Sequence, residues 1–305
     1  MHLNRFAEAK EVFEQALAQD PKSRNSHAGL YYLAFLAGDA AGMQQQLDWA
    51  GGQSDEAGGL AFDWQAETAA FAGQRQRAHE LSGRVVDLGV ERNDKEVTAQ
   101  YASGEALRDA VFDQCQQSQT AATQALALGR DRLFLVRGGL GLALCGEAGQ
   151  MQKLMAELKQ RYPKDTFINR IWLPVIQAAS EIKGGNPALA IQTLQTASRY
   201  EAAAEFWPQY LRGQAYLKLG RGAEAAAEFQ KILDHRGEGQ LSSRFAPSCP
   251  VLYPLAHLGL ARAAAMSGDA TKARQAYQDF FALWKDADAD LRALIEAKQE
   301  YEKLM

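Results

Sequence analysis

The chain has 305 residues, 47% of them hydrophobic, with only 8 prolines and a formal net charge of -4. By count about 18% is alanine, a composition that favours closely packed helices and disfavours sheet. It argues against a β-sandwich, a β-barrel or a disordered tail, and the acidic balance offers no basic field to hold nucleic acid.

From the N-terminus, Met1 to Lys10 is polar and amphipathic, not a charged start followed by an apolar targeting core. Turn-forming residues then recur at Asn4, Gly38, Gly73, Asp113, Gly146, Gly185, Gly220 and Gly268, with gaps of 33 to 48 residues. All are Gly, Asn or Asp, the residues that tolerate a left-handed backbone at the end of a helix. Five residues after each turn stand Ala9, Met43, Ala78, Ser118, Met151, Ala190, Ala225 and Ala273. Seven before stand Tyr31, Ala66, Ala106, Gly139, Ala178, Gly213 and Ala261. Small residues at both places let two antiparallel helices approach closely. Nine after each turn the residues are mostly apolar, as at Phe13, Leu47, Leu194, Phe229 and Tyr277, and would fill the space between neighbouring pairs. The pattern predicts an all-α helical-repeat solenoid of about eight antiparallel helix pairs.

Particular segments carry further expectations. Only Met1 to Leu3 precede the first turn, so the first repeat lacks its first helix, and Arg5 to Ala18 forms its second. With nothing before it, that helix is a candidate surface for self-association. The longest apolar run, Leu133 to Cys145, is broken by Arg137 and is too short to span a bilayer. Residues 236–250 read as a surface loop between the last two full repeats, and 290–305 as a capping helix.

Cys115, Cys145 and Cys249 are odd in number and show no CxxC spacing. The expectation is no disulfide framework and no zinc site, in keeping with a reducing, cytoplasmic setting, the alternative being the soluble region of a membrane-anchored protein. None of His2, His27, His79, His235 and His257 stands in a metal-binding spacing. Cys249 lies between His235 and His257, so a Cys–His pair is conceivable, and a simple helix-end role for His235 is the expectation. Asp286, Asp288 and Asp290 alternate as in a calcium loop, but the later Gly and Glu of that motif are Leu291 and Ala297. A polar turn with Asp290 capping the last helix is the expectation. His235-Arg236-Gly237 and Asp279-Phe280-Phe281 fall short of kinase motifs. No catalytic residue, metal or cofactor is expected, and the chain is not expected to be an enzyme.

Ala9, Phe13, Ala16 and Pro21 fall at the spacing of a tetratricopeptide (TPR) second helix. Gly213, Tyr216, Gly220, Ala225, Phe229 and Ile232 resemble a whole repeat, as do Ala261, Gly268, Ala273, Tyr277 and Phe280. The stretches Leu30–Met43, Tyr210–Gly237 and Leu258–Asp288, with Arg161–Thr166 and Trp172–Pro174, are similar to the C-terminal TPR region of bacterial serine/threonine protein kinases of the kind abundant in Acidobacteria. Related regions also follow winged-helix DNA-binding domains. Family members often carry Pro where this chain has Ala289, and the Lys/Asn pattern that clamps a C-terminal carboxylate in some TPR domains is absent.

The resemblance covers residues 1–305 and implies one right-handed superhelix whose first helices line a concave groove. By that numbering Trp172 and Trp207 take the second groove position of adjacent repeats, Tyr210 the fifth, and Gln214 and Arg262 the ninth. Tyr32, Asp63 and Glu67 are the groove candidates near the N-terminus. The implied function is a non-catalytic scaffold that binds a protein or peptide in the groove, as the interaction region of a kinase-like signalling protein. The alternative is a ligand-sensing module attached to a regulator or kinase.

Overall fold

The computed structural model describes residues 3–52, 56–237 and 249–304. Among them are sixteen α-helices and no strand. After α1 (Phe6–Gln19) come α2 (Arg24–Ala37) with α3 (Ala40–Gly51), α4 (Glu56–Phe71) with α5 (Arg75–Glu91), and α6 (Lys95–Val111) with α7 (Cys115–Leu128). Next are α8 (Arg132–Cys145) with α9 (Ala148–Arg161), and α10 (Leu173–Lys183) with α11 (Pro187–Leu194). The last pairs are α12 (Trp207–Lys218) with α13 (Gly222–Leu233) and α14 (Leu252–Met266) with α15 (Ala270–Leu283), followed by α16 (Arg292–Glu302). A π-helical turn, Ile168–Trp172, leads into α10, and a 3-10 segment, Gln195–Ala203, prolongs α11. The chain is an all-α helical-repeat solenoid.

All eight turn residues singled out in the sequence have positive φ, from 56° at Asn4 to 85° at Gly146. Seven join the two helices of a pair, and Asn4 precedes α1. Helix starts are set where Asp39, Asp94 and Asp269 accept from the backbone N–H of Gly42, Val97 and Lys272, satisfying donors that the first turn leaves free. Small residues do what the spacing required. A Cβ on Gly213 would lie 2.6 Å from the Phe229 ring, and one on Gly259 2.4 Å from it. Phe229, fully buried, therefore wedges between α12 and α14, and a methyl group on either would displace it.

The two ends of the array meet. The backbone N–H of Asp288 donates to Gly73 O at 3.1 Å, and Trp284 Nε1 donates to Phe71 O at 3.0 Å. Asp288 Oδ2 accepts from the Gln76 N–H at 2.8 Å, and Arg75 pairs with Asp290 at 3.1 Å. Phe71 stacks on Tyr253 of α14. Near the N-terminus the Asn4 amide bonds Asp234 O and accepts from the Gly237 N–H. Gly73 serves this seam twice: its φ is +72°, and a Cβ there would stand 2.6 Å from Ala287 and 2.9 Å from Trp284.

Three expectations need correction. Asp290 does not cap the last helix; α16 starts from Leu291 without a side-chain cap, and the aspartates of this turn hold the seam instead. Cys115 and Cys145 are disulfide-bonded, with Cα atoms 5.4 Å apart. Cys115 opens α7 and Cys145 closes α8, so the bond ties consecutive repeats, a pairing set by the repeat period and invisible to a search for short motifs. The cysteine argument for a reducing compartment falls with it. Of the expected 236–250 loop, 238–248 lie outside the described residues. No helix among the described residues is long and apolar enough to cross a membrane.

Candidate functional site

The first helices of the repeats point their side chains inward, and in the N-terminal half these are charged. Glu67 of α4 pairs with Arg108 of α6, whose guanidinium also donates to Ser82 of α5. Arg137, the residue that interrupts the apolar run of α8, reaches across to α6, donating to Gln100 O at 3.0 Å and Ser103 Oγ at 3.4 Å. Asp63 stands one turn before Glu67, and Tyr32 of α2 faces both. None of Tyr32, Asp63, Glu67, Arg108 and Arg137 is more than 8% exposed.

Burial decides how these groups titrate. It pushes the Asp63 carboxyl up to about 7; neighbouring Glu67 adds to the rise, while Arg108 and Arg137 oppose it. Burial likewise lowers Arg137 to about 10. It works against the charge of Arg108 too, but Glu67 and Asp63 outweigh it and hold that guanidinium above its ordinary value. Tyr32 is raised well above 10, first by burial and then by the two carboxylates. Three buried atoms of this cluster, Tyr32 OH, Glu67 Oε2 and Arg137 Nε, have no hydrogen-bond partner.

A carboxyl near neutrality beside a tyrosine and two arginines has the ingredients of acid–base chemistry. Access decides against that use in this packing, since a substrate would have to enter between side chains that are almost wholly covered. Cys249 is no better placed. Burial pushes its thiol up to about 12, the opposite of an activated nucleophile.

In the C-terminal half the inward residues are aromatic. Trp172 is 1% exposed and Trp207 fully buried; both belong to the core, so neither presents a face to a partner. Tyr210 packs edge-on against Trp207 and Phe229, and burial raises its hydroxyl to about 12, with Gln214 bonding to it. Arg262 is tied to Glu296 at 3.1 Å and Glu300 at 2.9 Å, joining α14 to α16. The eight groove candidates thus fall into two groups. Tyr32, Asp63 and Glu67 meet in the charged cluster; Trp207, Tyr210 and Gln214 meet in the aromatic one, beside Arg262. Trp172 lies in the same apolar core.

Arg108, Ser82, Ser103 and Gln100 were not singled out in the sequence. Arg137 was noted only as an interruption, yet an arginine amid apolar residues at every helical face was the signal that this helix buries a charge. Two surface hollows complete the candidates. One of about 290 Å³ lies between the starts of α6 and α8, lined by Gln100, Arg132, Phe134 and Tyr162. The other, about 250 Å³, lies at the seam, among Phe112, Leu255, Trp284 and Arg292.

No family model matches the sequence, and neither does any curated protein sequence. Among solved structures, the chain is similar to the yeast Tom70 structure at 13% identity and TM-score 0.47, covering 98% of this chain and 58% of that one. The chain thus spans less than two thirds of that neighbour's length. It is also similar to the TPR domain of P58(IPK) at 10% identity and TM-score 0.35, covering 99% of this chain and 94% of that one. At these scores the likenesses add nothing to what the helix pairs themselves establish.

Proposed function

We propose that the chain is a non-catalytic scaffold for a protein partner, working through the surface of its N-terminal helix rather than through its interior. The observation that carries this is α1. No residue of α1 is buried. Phe6, Ala9, Phe13, Ala16 and Leu17 are only partly covered, and Val12 is 61% exposed. Every other second helix of the array buries part of its apolar face, for example Ala78, Leu81 and Val85 on α5. A half-covered amphipathic helix is the natural seat for another helix. The repeat resemblance to kinase-attached TPR regions supports the wider reading, an interaction region of a signalling protein, with a second copy or a partner helix as the occupant.

The test is Val12→Arg. It should weaken self-association or partner capture, read by sedimentation or co-purification, while leaving the melting temperature unchanged. Association at parental strength would move the working surface away from α1.

A second reading, a ligand-sensing module, rests on the three unpartnered atoms of the charged cluster, which a polar ligand would reach only if the first helices part. A polar small molecule that raised the melting temperature of the parent, and not of Tyr32→Phe, would support it. For localisation we infer an oxidising compartment, because a disulfide such as Cys115–Cys145 persists there and is rare in a reducing cytosol. Thiol labelling of protein from the native host that found three free cysteines would overturn this.

A further inference from the structure

Glu105 and Asp109 lie one turn apart on the same face of α6. The second helix of the preceding repeat, α5, brings His79 against them. One donor atom from each of the three residues lies within 4.8 Å of the other two, and His79 Nδ1 contacts Glu105 Oε1. Their exposure is graded. The His79 side chain is 59% exposed, that of Glu105 11%, and Asp109 is 5% exposed. The cluster therefore has an open mouth at the imidazole and a buried floor at Asp109.

The floor holds the second observation. Asp109 Oδ2 is buried and has no hydrogen-bond partner. A His–Glu ion pair would account for His79 and Glu105 but leaves this oxygen unexplained. The two nearby cations do not satisfy it. Arg108 is held by Glu67 and Ser82, and Arg75 is drawn to Asp290 across the seam. The Nε of Arg75 is itself buried without a partner, so a small shift of Arg75 onto Asp109 is the competing arrangement.

We propose that His79, Glu105 and Asp109 form a binding site for a first-row divalent transition-metal ion, with one imidazole nitrogen and two carboxylate oxygens as protein ligands. The donor set makes the choice of ion. An imidazole suits Zn²⁺, Fe²⁺ or Co²⁺, whereas calcium and magnesium take oxygen ligands. Ligands at about 2.0–2.2 Å from such an ion stand about 3–3.5 Å apart, so binding would draw the three donor atoms inward from their present spacing of up to 4.8 Å, with the exposed His79 the freest to move. Water on the His79 side completes the coordination. The ion would fasten α5 to α6 across the junction of two repeats, next to the seam held by Arg75.

The test uses the full chain after treatment with a chelator, titrated with Zn²⁺ and, for its visible absorption, Co²⁺. The parent should bind one ion per chain and melt at a higher temperature with Zn²⁺ present. His79→Ala should bind at least about tenfold more weakly and lose the Zn²⁺-dependent rise, with an unaltered melting temperature in chelator. Glu105→Gln should weaken binding likewise, whereas His235→Ala should not. Absence of one-to-one binding in the parent overturns the proposal. So does binding of parental strength in a folded His79→Ala, which would leave these residues as a plain ion-paired cluster.

Discussion

The first helices of the two halves occupy equivalent places in the array and are filled in opposite ways. In the N-terminal half α4, α6 and α8 bury Asp63, Glu67, Arg108 and Arg137. In the C-terminal half the same layer is built from Trp172, Ile176, Trp207 and Leu211. The apolar layer stabilises by area and tolerates small shifts. The charged layer stabilises only while each partner is present, because removing buried charges from water is costly unless their attraction and hydrogen bonds offset it. The charged half ties α4 to α6 through Glu67 and Arg108 and α6 to α8 through Ser103 and Arg137, whereas the aromatic half is held by apolar packing.

The largest effect that tests this contrast is Trp207→Ala. Truncating a fully buried tryptophan should cost about 3–5 kcal/mol in urea unfolding, and loss of any partner binding would follow the loss of fold. A cost of under about 1 kcal/mol would mean that the aromatic layer is not the stabilising one.

Next comes Arg108→Met, which strands Glu67 in the interior and should cost about 3 kcal/mol. Adding Glu67→Leu should restore most of that stability, since an apolar pair of similar volume replaces a buried ion pair at little cost. A double variant as unstable as the single one would argue that the charges contribute net stability as well as register.

A pH scan sharpens the contrast with a smaller effect. The Asp63 carboxyl titrates at about 7 in the folded chain against an ordinary 3.8. Between those values the folded chain holds a proton that the unfolded chain has released. Its contribution is therefore present at low pH, is lost as pH rises from about 4 to about 7, and is level above that. His257, lowered by burial, acts in the opposite sense, its contribution being lost as pH falls through the ordinary histidine range. The Asp109 carboxyl, raised by burial to about 7 as well, acts in the same sense as Asp63, so Asp63→Asn should remove part of the rise in urea midpoint seen on going from about pH 8 to about pH 5.5, and should be more stable than the parent at the higher pH. A variant with the parental slope would remove Asp63 as its source.

The smallest expected change lies outside both layers. Gly220 has φ +72° and open space around its missing Cβ, so Gly220→Val should cost about 1 kcal/mol or more through backbone strain alone. Gly220→Asn, which adopts that conformation readily, should cost much less.

Most of the fold was legible in the sequence because helix turns and close helix contacts each demand a particular small residue. Gly38 and Gly185 had to be left-handed, and Gly213 had to make room for Phe229, so their spacing exposed the repeat. The candidate sites were legible only in part. Tyr32, Asp63 and Glu67 were found because a repeat assigns inward positions by counting. Arg108, Ser82 and His79 were not, because their roles depend on which residue the neighbouring repeat sets opposite them. The Cys115–Cys145 bond and the seam at Gly73 and Trp284 were hidden for the same reason: both join residues through the superhelix rather than along a helix.

That seam alters how the molecule comes apart. In an open array each repeat touches only its neighbours, the ends fray independently, and folding spreads from wherever it starts. Here Trp284 bonds to a residue 213 positions away. Contacts of such sequence separation raise the mean contact order and slow folding, because a long loop must close before they form. They also make opening cooperative: α16 cannot peel away with its linker without uncovering the start of α5, so amides near Arg75 and amides near Leu291 should exchange with solvent in a single shared event.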